Sequence, residues 1–166
     1  MPNSNINPHT FIAEGVQLNG DITVREHSSI WFNAVLDANA GAIIIGQVSN
    51  VQDNSTIRTA DNTPCTIGDY VTIGHNCRLI SCTIEEHCLI GMGSTIKFGA
   101  HIGQCSIIGA GAVVEENTIV PPHSLVVGRP ARVVRSIPDS KYDLHKQAVK
   151  YARVWNKEYR KGKQKS

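Results

Sequence analysis

Ile84-Glu-Glu-His-Cys-Leu-Ile90-Gly-Met-Gly-Ser-Thr-Ile96-Lys-Phe-Gly-Ala-His-Ile102-Gly-Gln-Cys-Ser-Ile-Ile108-Gly-Ala-Gly-Ala-Val-Val114 returns an aliphatic residue at every sixth position. The same step continues downstream through Val120 to Val126. Upstream it holds in shorter runs: Ile12, Leu18, Val24, Ile30 and Leu36; Ile45, Val51 and Ile57; Ile67, Ile73 and Leu79, with one five-residue step on to Ile84. All nineteen positions are Ile, Leu or Val. A helix period of 3.6 or a strand period of 2 does not survive beyond a few residues. The residue that follows is often Gly (Gly46, Gly68, Gly74, Gly91, Gly103, Gly109), and the fourth residue on is small or β-branched, as at Ser49, Ser55, Cys77, Cys88, Ser94 and Ala112. One branched and one small inward residue per hexad is what a narrow stacked coil can hold. A fixed period of this kind signals a solenoid of stacked turns.

Two steps break the lattice, Leu36 to Ile45 and Ile57 to Ile67, which places excursions at 37–44 and 58–66. Insertions in a rigid coil are the usual place for a site. From Pro138 the period changes: Leu144, Ala148, Tyr151, Trp155 and Tyr159 recur at helical spacing, with Asp139 or Ser140 to cap the helix. The expected organisation is a solenoid over 1–137 and a helix with a basic tail over 138–166, the segment before Ile12 covering one end.

Composition agrees with a coil core built without rings. Of 166 residues, 41% are hydrophobic but only 5% aromatic. The net charge of +2 divides unevenly: residues 138–166 carry nine Lys/Arg against three Asp/Glu, and residues 1–137 carry seven against eleven. A basic tail can meet nucleic acid or anionic lipid, but a solvated helix face explains it more simply, and no nucleic-acid partner is expected. No apolar run approaches the roughly 18 residues a spanning helix needs, so no membrane partner is expected either. Five Cys without a CxxC pair, and an N-terminus lacking an apolar leader, point to a reduced cytoplasmic setting.

The pattern resembles the hexapeptide repeat of left-handed parallel β-helix proteins, in which three hexads make a triangular turn. The resemblance implies an all-β solenoid of about six coils with a C-terminal α-helix, assembled as a homotrimer. Six runs resemble the gamma-class carbonic anhydrase-like branch in order: Ser29-Ile-Trp-Phe-Asn-Ala-Val35, Asn50-Val-Gln-Asp53, Thr72-Ile-Gly-His75, Cys82-Thr-Ile84, Leu89-Ile-Gly-Met-Gly93 and Val127-Gly-Arg-Pro-Ala131. The resemblance implies a zinc ion held by three His at a subunit interface, activating water as hydroxide. It carries over to His75 alone. The first ligand position falls at Asp61, the third at Ile80, and a further family His just upstream of the first is matched by Arg58. The family's Arg-Gly-Asp run is matched by Asp37-Ala38-Asn39, while Gln52 and Asp53, near the metal in family members, are retained.

Two readings stay open. In one the zinc site is lost and the trimer is a scaffold. In the other the site is rebuilt, with His75 and Asp61 as metal ligands and Gln52, Asp53 and Asp37 as the catalytic residues around them, holding one divalent ion at the interface through mixed N and O donors. A coenzyme A-dependent acyltransferase on the same fold is the alternative, with a His as general base, although no His here precedes an Asp. Of the other candidates, His87, His101 and His123 read as exposed corner residues, Cys82 and Cys105 as corner thiols and Cys65 as a loop thiol, with Cys77 and Cys88 turned inward.

Overall fold

When the aliphatic residue and the small residue two before it must both point inward, the chain can keep only two extended residues before it turns. The computed structural model describes residues 4–154, and most hexads there are two-residue strands joined by turns. The turns close a triangular left-handed solenoid. Its first face stacks Phe11–Ile12, Ser29–Ile30, Asn50–Val51, Thr72–Ile73, Leu89–Ile90, Ile107–Ile108 and Ser124–Gly128 in parallel. Ile12, Ile30, Val51, Ile73, Ile90, Ile108 and Val126 lie in one inward column. Ala131–Ser136 folds back antiparallel on the last rung.

The other two faces are one continuous sheet, because Gln17–Val24 and Val35–Ile45 run from the second face onto the third. Leu36 pairs with Ile57 on the second face and Ile45 with Ile67 on the third. Residues 37–44 therefore carry the strand across a corner, with Thr59 Oγ1 accepting from the Ala40 N–H at 3.1 Å. Residues 58–66 make the second excursion, turned at Ala60–Thr63 and held by Ser81 Oγ, which accepts from Ala60 N–H at 2.9 Å and donates to the Thr63 carbonyl at 2.7 Å. At the N-terminus, Asn5–Ile6 pairs in parallel with Thr23–Val24. That segment is one more rung rather than a cover, and the solenoid has about seven turns where the hexad count gave six.

The third residue after most of the aliphatic positions turns the corner in the left-handed region of backbone space. Asn33, Asn54, Asn76 and Asn117 do so with φ between +58° and +63°, where Asn is tolerated because its short polar side chain bonds locally. Inside, serine hydroxyls tie successive turns together. Ser55 Oγ donates to the Gly74 carbonyl at 2.7 Å and accepts from the Cys77 N–H at 3.0 Å, so a hydroxyl in an aliphatic core both donates and accepts.

The cysteines depart from the sequence expectation. All five are buried. Cys65 and Cys82 occupy small inward slots two residues before Ile67 and Ile84, their sulfurs 3.8 Å apart. Counting forward across the irregular steps had set them outside the lattice; counting back from the next aliphatic residue places them in it. Cys105 is at a corner, as expected, but lies beneath the C-terminal helix, where Ser140 Oγ donates to its carbonyl at 2.7 Å.

That helix, α1 (Lys141–Val154), packs on the first face with Leu144 and Ala148 buried. Trp155 and Tyr159, which continue the expected stripe, lie outside the described residues.

Candidate functional site: a groove between the first face and the helix

The outward residues of the first face would ordinarily meet water. Here α1 covers part of them, and a polar layer is buried beneath it. Trp31 Nε1 donates to Ser29 Oγ at 2.9 Å, Gln52 Nε2 to Asn50 Oδ1 at 3.0 Å, and Asn50 Nδ2 to Thr72 Oγ1 at 3.2 Å. Gln52 is thereby held with one amide edge committed, and it is buried although strongly polar.

Beside this layer a groove of about 430 Å³ opens between the corner and the helix. Gln52, Thr72 and His75 line it from the solenoid, Gln147 and Tyr151 from α1, and Leu89, Met92 and Ile107 give it an apolar body. The hexad explains its floor. Gly74, Gly91 and Gly109 follow the aliphatic column on consecutive turns, and a Cβ at Gly91 would lie 2.6 Å from the backbone nitrogen of Ala110. Trp31, one residue after Ile30, meets Tyr151 edge-on at 6.0 Å between ring centroids.

His75 and Asp53 stand one above the other at this corner. Asn76 N–H donates to the Asp53 carbonyl at 3.0 Å, and Gly93 N–H to the His75 carbonyl at 2.8 Å, so residues 53, 75 and 92 follow one another along the axis. Neighbouring rungs lie about 4.8 Å apart. Burial chiefly, and the Asp53 carboxylate secondarily, push the Tyr151 phenol above its ordinary range. Tyr151 is therefore a neutral hydrogen-bonding group in the groove at physiological pH.

The remaining predicted residues sit elsewhere. Asp37 and Arg58 are paired neighbours on the second face, bonded Nη1 to Oδ2 at 2.9 Å. Ile80 lies alongside Arg58 in register. Asp61 is exposed in the turn beyond, with φ +51°. His75 is at the corner where the second face begins, and Asp37, Arg58, Ile80 and Asp61 are at or past the corner where it ends. Gln52, Asp53 and His75 are thus brought together, while Asp37 and Asp61 are not brought to them within one chain. Among the described residues, no three His, Cys, Asp or Glu side chains are grouped to hold a metal ion. Neither Tyr151 nor Gln147 carries a chemical signal in the sequence; helical spacing gives the stripe that holds Tyr151 but neither Gln147 nor the groove it borders.

His87 corrects another expectation. It is buried, not an exposed corner residue, because the helix lies over its corner and His145 meets it there.

Residues 82–116 match the family described as "Hexapeptide repeat of succinyl-transferase". Over 150 residues the chain is 41% identical to a "Probable carbonic anhydrase" of Methanocaldococcus jannaschii, covering 90% of this chain and 94% of that protein. It is 34% identical to "Gamma carbonic anhydrase 1, mitochondrial" of Arabidopsis thaliana, over 87% of this chain and 54% of that longer protein. A solved structure described as a putative acetyltransferase of Bacillus cereus superposes with a TM-score of 0.88 at 40% identity, covering 91% of this chain and 88% of that one. No helix among the described residues is long and apolar enough to cross a membrane. With its repeat, its turn geometry and these similarities in agreement, the chain belongs to the gamma-class carbonic anhydrase-like group of hexapeptide-repeat proteins.

Proposed function

We propose that this chain assembles as a homotrimer of the gamma-class carbonic anhydrase type that does not carry out zinc-hydroxide hydration of CO2, its corner at Asp37 and Arg58 having become structural. The observation that carries the reading is the Asp37–Arg58 bond at 2.9 Å with Ile80 beside it. A guanidinium repels a divalent cation and has no lone pair to give it, its partner carboxylate is already engaged, and isoleucine has no donor atom. A three-histidine zinc site does not fit these residues. What remains is His75 on the groove, with Gln52, Asp53 and Tyr151 as polar company for a small molecule or for a neighbouring subunit.

Metal content per chain tests this directly, by mass spectrometry on tag-free protein grown with ample zinc, iron and manganese. We expect far less than one metal per three chains and no CO2 hydration above buffer. A near-stoichiometric metal lost in His75→Ala and in Asp61→Ala would overturn the reading in favour of a rebuilt mixed-ligand site. Light scattering should give three times the chain mass.

The similarity to a solved putative acetyltransferase supports a second reading, a coenzyme A-dependent acyltransferase with His75 as general base beside the groove. Acetyl-coenzyme A would then raise the melting temperature in a concentration-dependent way. An unchanged melting temperature at millimolar acetyl-coenzyme A removes it.

A further inference from the structure

Helix α1 supplies one wall of the groove, and a histidine pair fastens its first half to the solenoid. His87 turns the corner between the third and first faces, with φ +56° and 5% exposure. Its Nε2 lies 2.9 Å from Nδ1 of His145 on α1. Tyr70, one turn earlier at the same corner, stacks on both rings, with centroids 4.9 Å from His87 and 4.4 Å from His145. A hydrogen bond between two imidazole nitrogens needs one to carry hydrogen and the other to offer a lone pair. A neutral pair meets that condition, and so does a pair sharing one extra proton. A doubly protonated pair does not, since two N–H groups then face each other. The other ring nitrogen of His87, Nδ1, is buried with no hydrogen-bond partner, and Glu86 Oε2 stands 3.7 Å from it, too far to bond.

We propose that His87 and His145 form an acid-sensitive clasp: protonation of both rings releases α1 from this corner and opens the groove that Gln147 and Tyr151 wall. The clasp lies apart from the metal-ligand positions and holds whether or not the chain binds metal. Asp69 and Glu86, from the solenoid corners, favour the charged ring. His145 and Lys141, from the helix, oppose it, and Tyr70 and Cys105 are the remaining titratable neighbours. Burial is the largest influence and holds His87 below the ordinary imidazole range. The sign follows. Docking is complete above the free imidazole value of about 6.5; as pH falls below it the released state takes up protons that the docked state refuses, and docking is lost as pH passes the docked value. Leu144, Ala148 and the Tyr151–Trp31 contact do not titrate in this range, so the helix loosens while the solenoid stays folded.

Hydrogen exchange with mass detection on the full chain, from pH 7.5 to 5.0 and corrected for intrinsic rates, reads this out. Protection over residues 141–154 should fall about tenfold per pH unit for each proton taken up, with the first-face strands unchanged. His87→Phe with His145→Phe keeps flat rings in the stack and removes both titrations, so α1 protection should become independent of pH. His145→Phe alone, which leaves the solenoid sequence intact, should at least make the slope shallower. Flat protection in the native chain, or a native-like slope in either variant, would overturn the clasp.

Discussion

Val48 turns the same solenoid corner as His87 with φ +55°, a conformation a β-branched residue adopts at a cost. An L-residue loses roughly 1–2 kcal/mol in the left-handed region, and Asn loses less. Val48→Asn should therefore raise stability by about 1 kcal/mol in urea unfolding. Ser55→Ala acts in the other direction. It leaves the buried Cys77 N–H without its acceptor and should cost about 1–3 kcal/mol. Burial pushes the Cys88 thiol up to about 12. In the native chain at pH 8, Cys88 should resist iodoacetamide, a thiolate reagent, over a time in which urea-unfolded chain is fully labelled. The Asp37–Arg58 pair is partly exposed, so Arg58→Ala should change stability by no more than about 1 kcal/mol. Residues such as Asn33, Asn54 and Asn76 announce their corners through their own chemistry. Val48, Tyr70 and His87 do not, because their corners follow from position in the hexad rather than from residue type.

At the scale of an element, α1 lies against the solenoid without joining either of its sheets. Leu144 and Ala148 are its buried apolar anchors, and its polar neighbours are the buried Asn50, Gln52 and Thr72 layer and the His87 corner. Leu144→Ala removes the larger anchor, worth about 2–5 kcal/mol in a rigid core. That loss should appear as faster exchange over 141–154 while the solenoid's thermal transition stays within a few degrees of native. An equal loss in both would mean that helix and solenoid unfold as one unit. The helical stripe was legible because 3.6-residue spacing replaces six-residue spacing after Pro138. The landing place was not, because the first-face residues it covers alternate outward like those of the other faces. Likewise the step from Leu36 to Ile45 read as an excursion from the wall. Three extra residues do bulge there, 39–42 standing opposite Asp21 alone, but the strand runs on because Val35–Ile45 finds pairing partners on both faces.

Across the whole molecule, stacked turns contact only their neighbours, and the stability of such an array is close to a sum of turns and interfaces. Ile73, in the middle of the first-face column and fully buried, is where truncation should be felt on both sides. Ile73→Ala should cost about 2–5 kcal/mol and lower the melting temperature of the whole solenoid. The sequence alone determined the solenoid, its inward column, its family and the absence of two of the three histidines a zinc site would need. Those features are local and repeated: a fixed six-residue period calls for stacked turns of one length, the quoted runs carry the family resemblance, and a missing donor atom is missing in any fold. Tertiary structure decided the rest. It placed Gln52, His75 and Tyr151 around one groove with Asp53 beside His75 at its corner, set Asp37 and Arg58 against each other at the far end of a face, and buried His87 against His145. Each of these depends on which turns lie side by side and where the helix comes down, contacts between residues tens of positions apart that no local period encodes.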